Sequence, residues 1–310
     1  MTKVFIDGKA GTTGLRIYER LSQRSDIELL TLPEELRKDT QAREKMLNDC
    51  DIAFLCLPDA AAIEAVSLIT NPDTVVLDTS TAHRTNPEWA YGFAELSGCH
   101  REKIKKFKRI AVPGCHASGY IALVYPLIEA GILPKDALIS CNSLTGYSGG
   151  GKKMIAEYED NDRDVLLDAP RQYGIGQTHK HLKEMKSITD THSAPLFCPI
   201  VSDFYSGMEV TVPLFASQLC PGKTVQDIKN AYEKKYNGPI VKYNPQMSED
   251  GFISSNGMAM KDSMEVAVYG NDERILLVAR YDNLGKGASG AALQCMNIVM
   301  GISETEGLDI

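Results

Sequence analysis

Lys3-Val4-Phe5-Ile6-Asp7-Gly8-Lys9-Ala10-Gly11-Thr12-Thr13-Gly14 opens the chain with an apolar run that breaks into glycines and leads straight to helix-patterned sequence. Leu15, Ile17, Tyr18 and Leu21 recur at helical spacing. A strand, a tight glycine turn and a helix start together make a site for a pyrophosphate. Glycines let the backbone approach the phosphates, and the first N–H groups of the helix have no partner of their own. The spacing is G-x-x-G-x-x-G rather than the commoner G-x-G-x-x-G. Gly8, Gly11, Thr12, Thr13 and Gly14 are therefore candidate dinucleotide ligands.

Working outward, Ile27–Leu32, Asp51–Pro58 and Thr74–Asp78 read as further short strands, with an Ala-rich helix from Ala60 to Ile69 between the last two. Alternation of this kind implies an α/β, Rossmann-type doubly wound parallel sheet. NAD-specific sites place an acid near the end of the second strand. Here that strand runs into Leu32-Pro33, and Glu34 and Glu35 are followed by Arg37 and Lys38. Together with Arg16, these cations favour NADP over NAD, although a solvated charge cluster accounts for Arg37 and Lys38 equally well. Thr79-Ser80-Thr81-Ala82-His83-Arg84 follows another strand, where ligands of such sheets bind, so Arg84 is placed to hold an anion.

A second strand-to-helix junction lies at Ile110-Ala111-Val112-Pro113-Gly114-Cys115. Tyr120, Ile121, Leu123, Val124, Leu127 and Ile128 mark a helix beyond it, and Gly131 ends the run. Cys115 then sits at a helix N-terminus, whose partial positive charge favours thiolate over thiol and can also hold an oxyanion. Farther on, Ala137–Thr145 is strand-like, Gly146–Lys153 reads as a flexible loop rich in backbone donors, and Glu157–Asp168 as polar surface. His179-Lys180-His181 precedes Glu184 at a helix start; one imidazole can serve as acid/base while the other binds an anion. Met208–Phe215 alternates, Thr224 with Asp227 resembles a capping box, and Ser263–Gly270 with Arg274–Tyr281 forms a hairpin. A small-residue helix closes the chain. The second domain is thus α+β with a mixed or antiparallel sheet.

Bulk properties narrow the function. The chain has 310 residues, 43% hydrophobic, with net charge −8 and pI about 5.4. An acidic protein of this kind is not a general nucleic-acid or membrane-surface binder. Eight cysteines without a CxxC pair indicate neither a disulfide framework nor a zinc site, and no metal is expected. With no signal peptide and no bilayer-length apolar run, a cytoplasmic protein is the expectation.

These motifs together resemble the N-acetyl-γ-glutamyl-phosphate reductase family, short form (type 2), related to aspartate-semialdehyde dehydrogenase. The resemblance rests on Gly8-x-x-Gly11-x-x-Gly14, Ser80–Arg84, Pro113-Gly114-Cys115, Ser148–Lys152, His179-x-His181-x-x-Glu184 and Asn283–Gly290. The chain departs from long-form members at His83, His116, Ser118 and Lys152. The resemblance implies an NADPH-dependent reduction of an acyl phosphate to a semialdehyde through a Cys115 thioester, a step of arginine biosynthesis. It further implies a proton-handling histidine, His181 in preference to His179. Substrate contacts would come from Ser80, Arg84, Ser148, Lys152 and Glu184. Arg37 and the glycine turn would contact the cofactor, with Asn283 and Gly287 near the nicotinamide. It divides the chain into an NADP-binding domain, 1–114 with 288–310, and a catalytic and oligomerisation domain, 115–287. The partners would be the acyl phosphate, phosphate and further copies of the chain, as a dimer or tetramer. Aspartate-semialdehyde dehydrogenase or another amino-dicarboxyl-phosphate reductase would share this chemistry. A cysteine hydrolase or acyltransferase would have no need of the glycine turn.

Overall fold

The computed structural model describes all residues, Met1–Ile310. The chain divides into two compact units, Met1–Gly114 with Ala288–Leu308 and Cys115–Gly287 with Asp309–Ile310.

The first unit holds six strands: β1 (Thr2–Asp7), β2 (Ile27–Leu30), β3 (Ile52–Leu55), β4 (Val75–Asp78), β5 (Ala90–Tyr91) and β6 (Arg109–Ala111). All pair in parallel, in the order β2-β1-β3-β4-β6-β5. Alternate residues of each strand enter different cores, as the two-residue period of a strand requires. Val4, Ile6, Ile52, Phe54, Val75, Leu77 and Ile110 pack with α1 (Thr12–Leu21) and the helix Gly290–Met300. Phe5, Ala53, Leu55, Val76 and Ala111 pack instead with α2 (Thr40–Asp49) and α3 (Asp59–Ser67). Helices thus cover both faces. A fourth helix, α4 (Gly98–Lys106), joins the first of these cores through Ile104. After β1 the chain first adds β2 on one side and then β3 on the other. The crevice of such a sheet opens at that switch, beyond the carboxyl ends of β1 and β3.

The second unit is built around α5 (Cys115–Glu129), a helix buried along nearly its whole length. It lies on a mixed seven-stranded sheet: β7 (Ser140–Gly146), β8 (Arg171–Gln172), β9 (Leu196–Ser202), β10 (Met208–Phe215), β11 (Val241–Tyr243), β12 (Met264–Gly270) and β13 (Arg274–Tyr281). Their order is β11-β12-β13-β10-β7-β9-β8. In β10, Met208, Val210, Val212 and Leu214 are buried while the residues between them are half-buried or exposed. The expected hairpin pairs β12 with β13 across Asn271-Asp272. Two differences from the sequence reading stand out. Gly146–Lys153 is not a loose loop: Tyr147–Gly150 form a 3-10 turn and α6 (Gly151–Glu159) follows at once. The polar stretch after it is correspondingly half helical. Two more helices complete the unit, α7 (His181–Thr189) and α8 (Val225–Lys235). The start of α8 is capped as expected, with Asp227 accepting from the Thr224 N–H at 2.9 Å and its hydroxyl at 2.8 Å.

A buried helix must satisfy its backbone inside the protein, and Pro126 makes that harder for α5. Proline has no N–H, so the carbonyl of Ala122, four residues earlier, lacks its usual donor. The Tyr236 hydroxyl donates to it at 2.7 Å, and the Tyr232 hydroxyl donates to Leu123 O at 2.6 Å. Both tyrosines are buried and lie at the end of α8. Removing the Tyr236 hydroxyl leaves a buried carbonyl without a partner, at a cost of about 1–3 kcal/mol. Tyr236→Phe is expected to lower the urea midpoint accordingly; an unchanged midpoint would show that the proline defect needs no repair.

Candidate active site

In the first unit the three glycines of the opening turn have different reasons to be glycine. Gly8 has φ +88°, and a Cβ on it would lie 2.2 Å from Cys56 O, at the end of β3. A Cβ on Gly14 would lie 2.5 Å from Gly8 O. Both are required by close packing of helix, turn and strand. Gly11 is different: a Cβ there would meet nothing nearer than 3.4 Å. It is exposed, and it caps α1 without a side-chain partner. The first-turn N–H groups, with Thr12 and Thr13 half-buried beside them, present a bare helix N-terminus.

Beside the turn lies a cavity of about 350 Å³ whose lining includes Gly8, Lys9, Tyr18, Leu32, Arg37 and Lys38. The Lys9 ammonium sits 3.2 Å from the centre of the Tyr18 ring. Arg37 pairs with Glu34 at 2.8 Å on an exposed 3-10 turn. Arg16 is buried on the inner side of α1 and does not line this cavity. At the end of β1, buried Asp7 binds Arg43 at 3.0 Å. Burial raises the carboxyl pKa of Asp7, and the guanidinium opposes that.

The segment after β4 folds around one buried carboxylate. Asp78 accepts from Ser80 N–H at 2.9 Å and Ser80 O–H at 2.7 Å, and meets His83 Nδ1 at 2.7 Å. His83 stacks flat on Trp89, with centroids 4.0 Å apart. Arg84 donates from Nε to Val112 O at 2.9 Å and from Nη2 to Thr79 O at 2.8 Å. The arginine chosen from the sequence as an anion ligand therefore also fastens the backbone just before Pro113.

In the second unit Cys115 is the first residue of α5. Its carbonyl accepts from the Tyr281 hydroxyl, which itself accepts from Gly119 N–H at 3.0 Å. The phenol is fully buried, and its pKa is raised by desolvation first and by Cys115 second. A Cβ on Gly119 would fall 2.6 Å from Val210 Cγ2 and 2.8 Å from the Tyr281 oxygen. On another side, the turn after β13 runs against the cysteine, where a Cβ on Gly287 would lie 3.1 Å from Cys115 Cβ. Buried Asp282 shapes that turn by accepting from Leu284 N–H at 2.7 Å and Gly285 N–H at 2.8 Å.

His179 and His181 do come together, with ring centroids 4.8 Å apart. Only His181 lies on α7; His179 precedes the helix, and its Nδ1 accepts from His181 N–H at 3.2 Å. Burial lowers the His179 pKa, with the Lys180 charge adding to it. Glu184 shares the buried face of α7 with His181. His116, which the sequence reading left without a role, is 5.7 Å from each of the other two rings. Asn283 ties two loops: its Nδ2 donates to Ser148 Oγ at 2.9 Å, and its Oδ1 accepts from Gly207 N–H at 3.0 Å. Lys152 is exposed in the first turn of α6. Ser143, Tyr173 and Tyr281 were not among the residues expected at the site. Tyr281 had a sequence signal only as the last residue of the strand-like run Arg274–Tyr281.

Comparison with known proteins gives these features a family. The semialdehyde dehydrogenase NAD-binding domain model matches residues 33–107, and the semialdehyde dehydrogenase dimerisation domain model matches 115–283. N-acetyl-gamma-glutamyl-phosphate reductase of Sinorhizobium fredii is 45% identical over 303 residues, 96% of this chain and 98% of that protein. The chain belongs to the N-acetyl-γ-glutamyl-phosphate reductase family. N-acetyl-gamma-glutamyl-phosphate reductase 2 of a Nostoc species is 44% identical over 318 residues, 99% of both chains. Aspartate semialdehyde dehydrogenase II of Vibrio cholerae, solved with ASA, shares the fold at TM-score 0.70 and 15% identity, covering 97% of this chain and 98% of that one. The Francisella tularensis aspartate semialdehyde dehydrogenase does so at 0.73 and 13%, covering 97% and 100%. Like the rest of its family, the chain is an oxidoreductase with a nicotinamide-dinucleotide-binding domain. No helix is long and apolar enough to cross a membrane.

His116 gives this reductase-family chain a measurable pH signature. Burial, and secondarily the His179 charge, pull the imidazole pKa down to about 3. An unfolded histidine titrates near 6.5, so between those values the unfolded chain binds the extra proton. Stability from the neutral ring is complete above about pH 6.5 and falls by roughly 1.4 kcal/mol per unit as pH drops. Urea unfolding should show about 2 kcal/mol lost to this group between pH 7 and pH 5. That part should vanish in His116→Phe, and equal pH sensitivity of the two proteins would show that the buried ring is not neutral.

Proposed function

We propose that the protein reduces N-acetyl-L-glutamyl 5-phosphate to N-acetyl-L-glutamate 5-semialdehyde and phosphate, using NADPH, as a step of arginine biosynthesis. One observation carries the reading: Cys115 heads the buried helix α5 next to His116, in a chain 45% identical to named reductases of this substrate.

The chemistry follows from the residues. Cys115 sulfur forms a bond to the acyl carbon while the carbon–oxygen bond to phosphate breaks, leaving a thioester and inorganic phosphate. The thiol proton passes to His181, which is buried on α7 and one helical turn from Glu184. Bound NADPH supplies the hydride that turns the thioester carbon into a thiohemiacetal carbon. The carbon–sulfur bond then breaks, freeing the aldehyde, and the proton held by His181 returns to the sulfur, restoring the Cys115 thiol. His179, half-buried and hydrogen-bonded to the His181 backbone, holds that pair in place. Arg84, Ser80, Ser148, Lys152 and Glu184 are the residues we assign to the substrate's charged and polar groups. For the cofactor, Gly8, Gly11, Gly14, Thr12 and Thr13 form the pyrophosphate cradle, and Asn283 and Gly287 serve the nicotinamide end. Gly11 supports this directly, since packing leaves its Cβ direction open. Arg37 and Lys38 on the cavity wall favour a 2′-phosphate, and both acids on that wall are already paired, Glu34 with Arg37 and Asp7 with Arg43. Residues 1–114 with 288–310 form the NADP domain in this reading, and 115–287 the catalytic domain through which copies of the chain associate.

The test is reduction of NADP⁺ with N-acetylglutamate semialdehyde and phosphate. Phosphate-dependent NADPH production is expected from the wild type, with a loss of at least about 1,000-fold in Cys115→Ala. Aspartate semialdehyde as the better substrate would transfer the chain to the sister activity, and a Cys115→Ala protein of near-normal rate would end the thioester mechanism. Arg37→Glu is expected to raise KM for NADP⁺ about tenfold more than KM for NAD⁺; equal effects would remove Arg37 from 2′-phosphate recognition.

A further inference from the structure

The first turn of α5 carries a polar residue that the reaction above leaves unused. His116 is buried, with Nδ1 2.7 Å from Ser143 Oγ and Nε2 2.6 Å from the Tyr173 hydroxyl. The ring is neutral at working pH, because burial opposes the imidazolium. A neutral imidazole donates from one nitrogen and accepts at the other. Which does which is settled by Ser143. That residue is fully buried in β7, and its hydroxyl has His116 Nδ1 as its hydrogen-bond partner. If Nδ1 carried the proton, the serine oxygen would accept and its own proton would be buried without an acceptor, an arrangement that costs on the order of 1–3 kcal/mol. Ser143 therefore donates to Nδ1, and Nε2–H donates to the Tyr173 oxygen.

This direction has a consequence at the far end of the chain of bonds. Tyr173 accepts from His116, so its own proton lies on the other side of the phenol oxygen. The Tyr173 hydroxyl is bonded to the residue that directly follows Cys115 at the start of α5, and burial keeps the phenol protonated. His179 lies on the same side, with its ring 6.0 Å from that of Tyr173.

We propose that His116 is a positioning residue: with Ser143 it holds the Tyr173 hydroxyl as an obligate hydrogen-bond donor beside Cys115. In the free protein the donor stabilises the cysteine thiolate. During turnover, an inference that rests on the reaction proposed above, it turns to the oxygen that becomes negative on the acyl carbon.

The experiment follows alkylation of Cys115 by iodoacetamide as a function of pH, reading the Cys115 peptide by mass spectrometry, with thermal unfolding to confirm the fold. Loss of a donor beside a thiolate raises its pKa. Tyr173→Phe is expected to move the alkylation midpoint up by about one pH unit, and His116→Phe, whose phenyl keeps the edge-on packing against Phe197 and His179, by somewhat less. The double variant should move no further than Tyr173→Phe, because His116 acts through Tyr173. His116→Gln, which keeps an amide N–H near the Nε2 position, should behave like the wild type and serves if the phenylalanine variant is unstable. In the reductase assay kcat should fall in the same order, by about 100-fold for Tyr173→Phe, with KM within about threefold. An unmoved midpoint in Tyr173→Phe, additive shifts in the double variant, or a His116→Gln protein as impaired as His116→Phe would each overturn the assignment. A wild type inactive on N-acetylglutamate semialdehyde but with the expected alkylation pattern would overturn the substrate and leave His116 in its role.

Discussion

A helix with no exposed face has to find a partner for every irregular backbone group within the protein, and α5 is irregular at both ends. Near its end Pro126 removes a donor, and the Tyr236 hydroxyl reaches in to the affected carbonyl while the Tyr232 hydroxyl donates to the next one. At its start the Tyr281 hydroxyl sits between Gly119 N–H and Cys115 C=O. These contacts need close approach, which is why Gly119 has no room for a side chain and Gly287 very little. The result is that the start of α5 at Cys115 is held from two directions by β13 and the turn that follows it.

The first unit solves a different problem, how to keep charged residues at the carboxyl ends of strands without leaving them unpaired. Asp78 gathers Ser80 and His83, Arg84 donates to main-chain carbonyls, and Asp7 binds Arg43. Buried charges of this kind stabilise only when fully hydrogen-bonded. Here they give the Thr79–Arg84 segment a fixed shape.

Much of this was legible in the sequence. The short continuous apolar runs Val4 to Ile6 and Ile52 to Leu55 foretold a sheet covered on both faces, and the period-two alternation of Met208 to Leu214 foretold the second sheet. The strand-to-helix junctions at Gly8 and Cys115 were legible for the same reason that they work: glycine and proline break a strand where a helix must begin. Elsewhere local signals failed. Helices α2 and α4 are dominated by polar and charged residues, and only Leu47, Arg43 and Ile104 are buried in them. Gly146 and Gly150 suggested mobility, yet a Cβ on Gly146 would lie 2.6 Å from Tyr205 O, so that glycine marks crowding. The histidine pair was expected at a helix start, and its rings meet because His179 precedes the helix that His181 opens. Ser143 and Tyr173 carried no signal, since their importance lies in pairing with His116 across 27 and 57 residues of chain.

The burial of α5 also bears on how such an enzyme can change over time. Aspartate semialdehyde dehydrogenases share this fold at TM-scores of 0.70 and 0.73 with 15% and 13% identity. A helix packed on every side transmits any change of volume to its neighbours. A change in the cysteine's support is therefore costly, whereas exposed stretches of the same unit, such as the first turn of α6 with Lys152 and the segment between Tyr173 and His179 with exposed Ile175, can change at little cost to packing. Divergence in this architecture is a matter of re-cutting the rim while the post stays where it is.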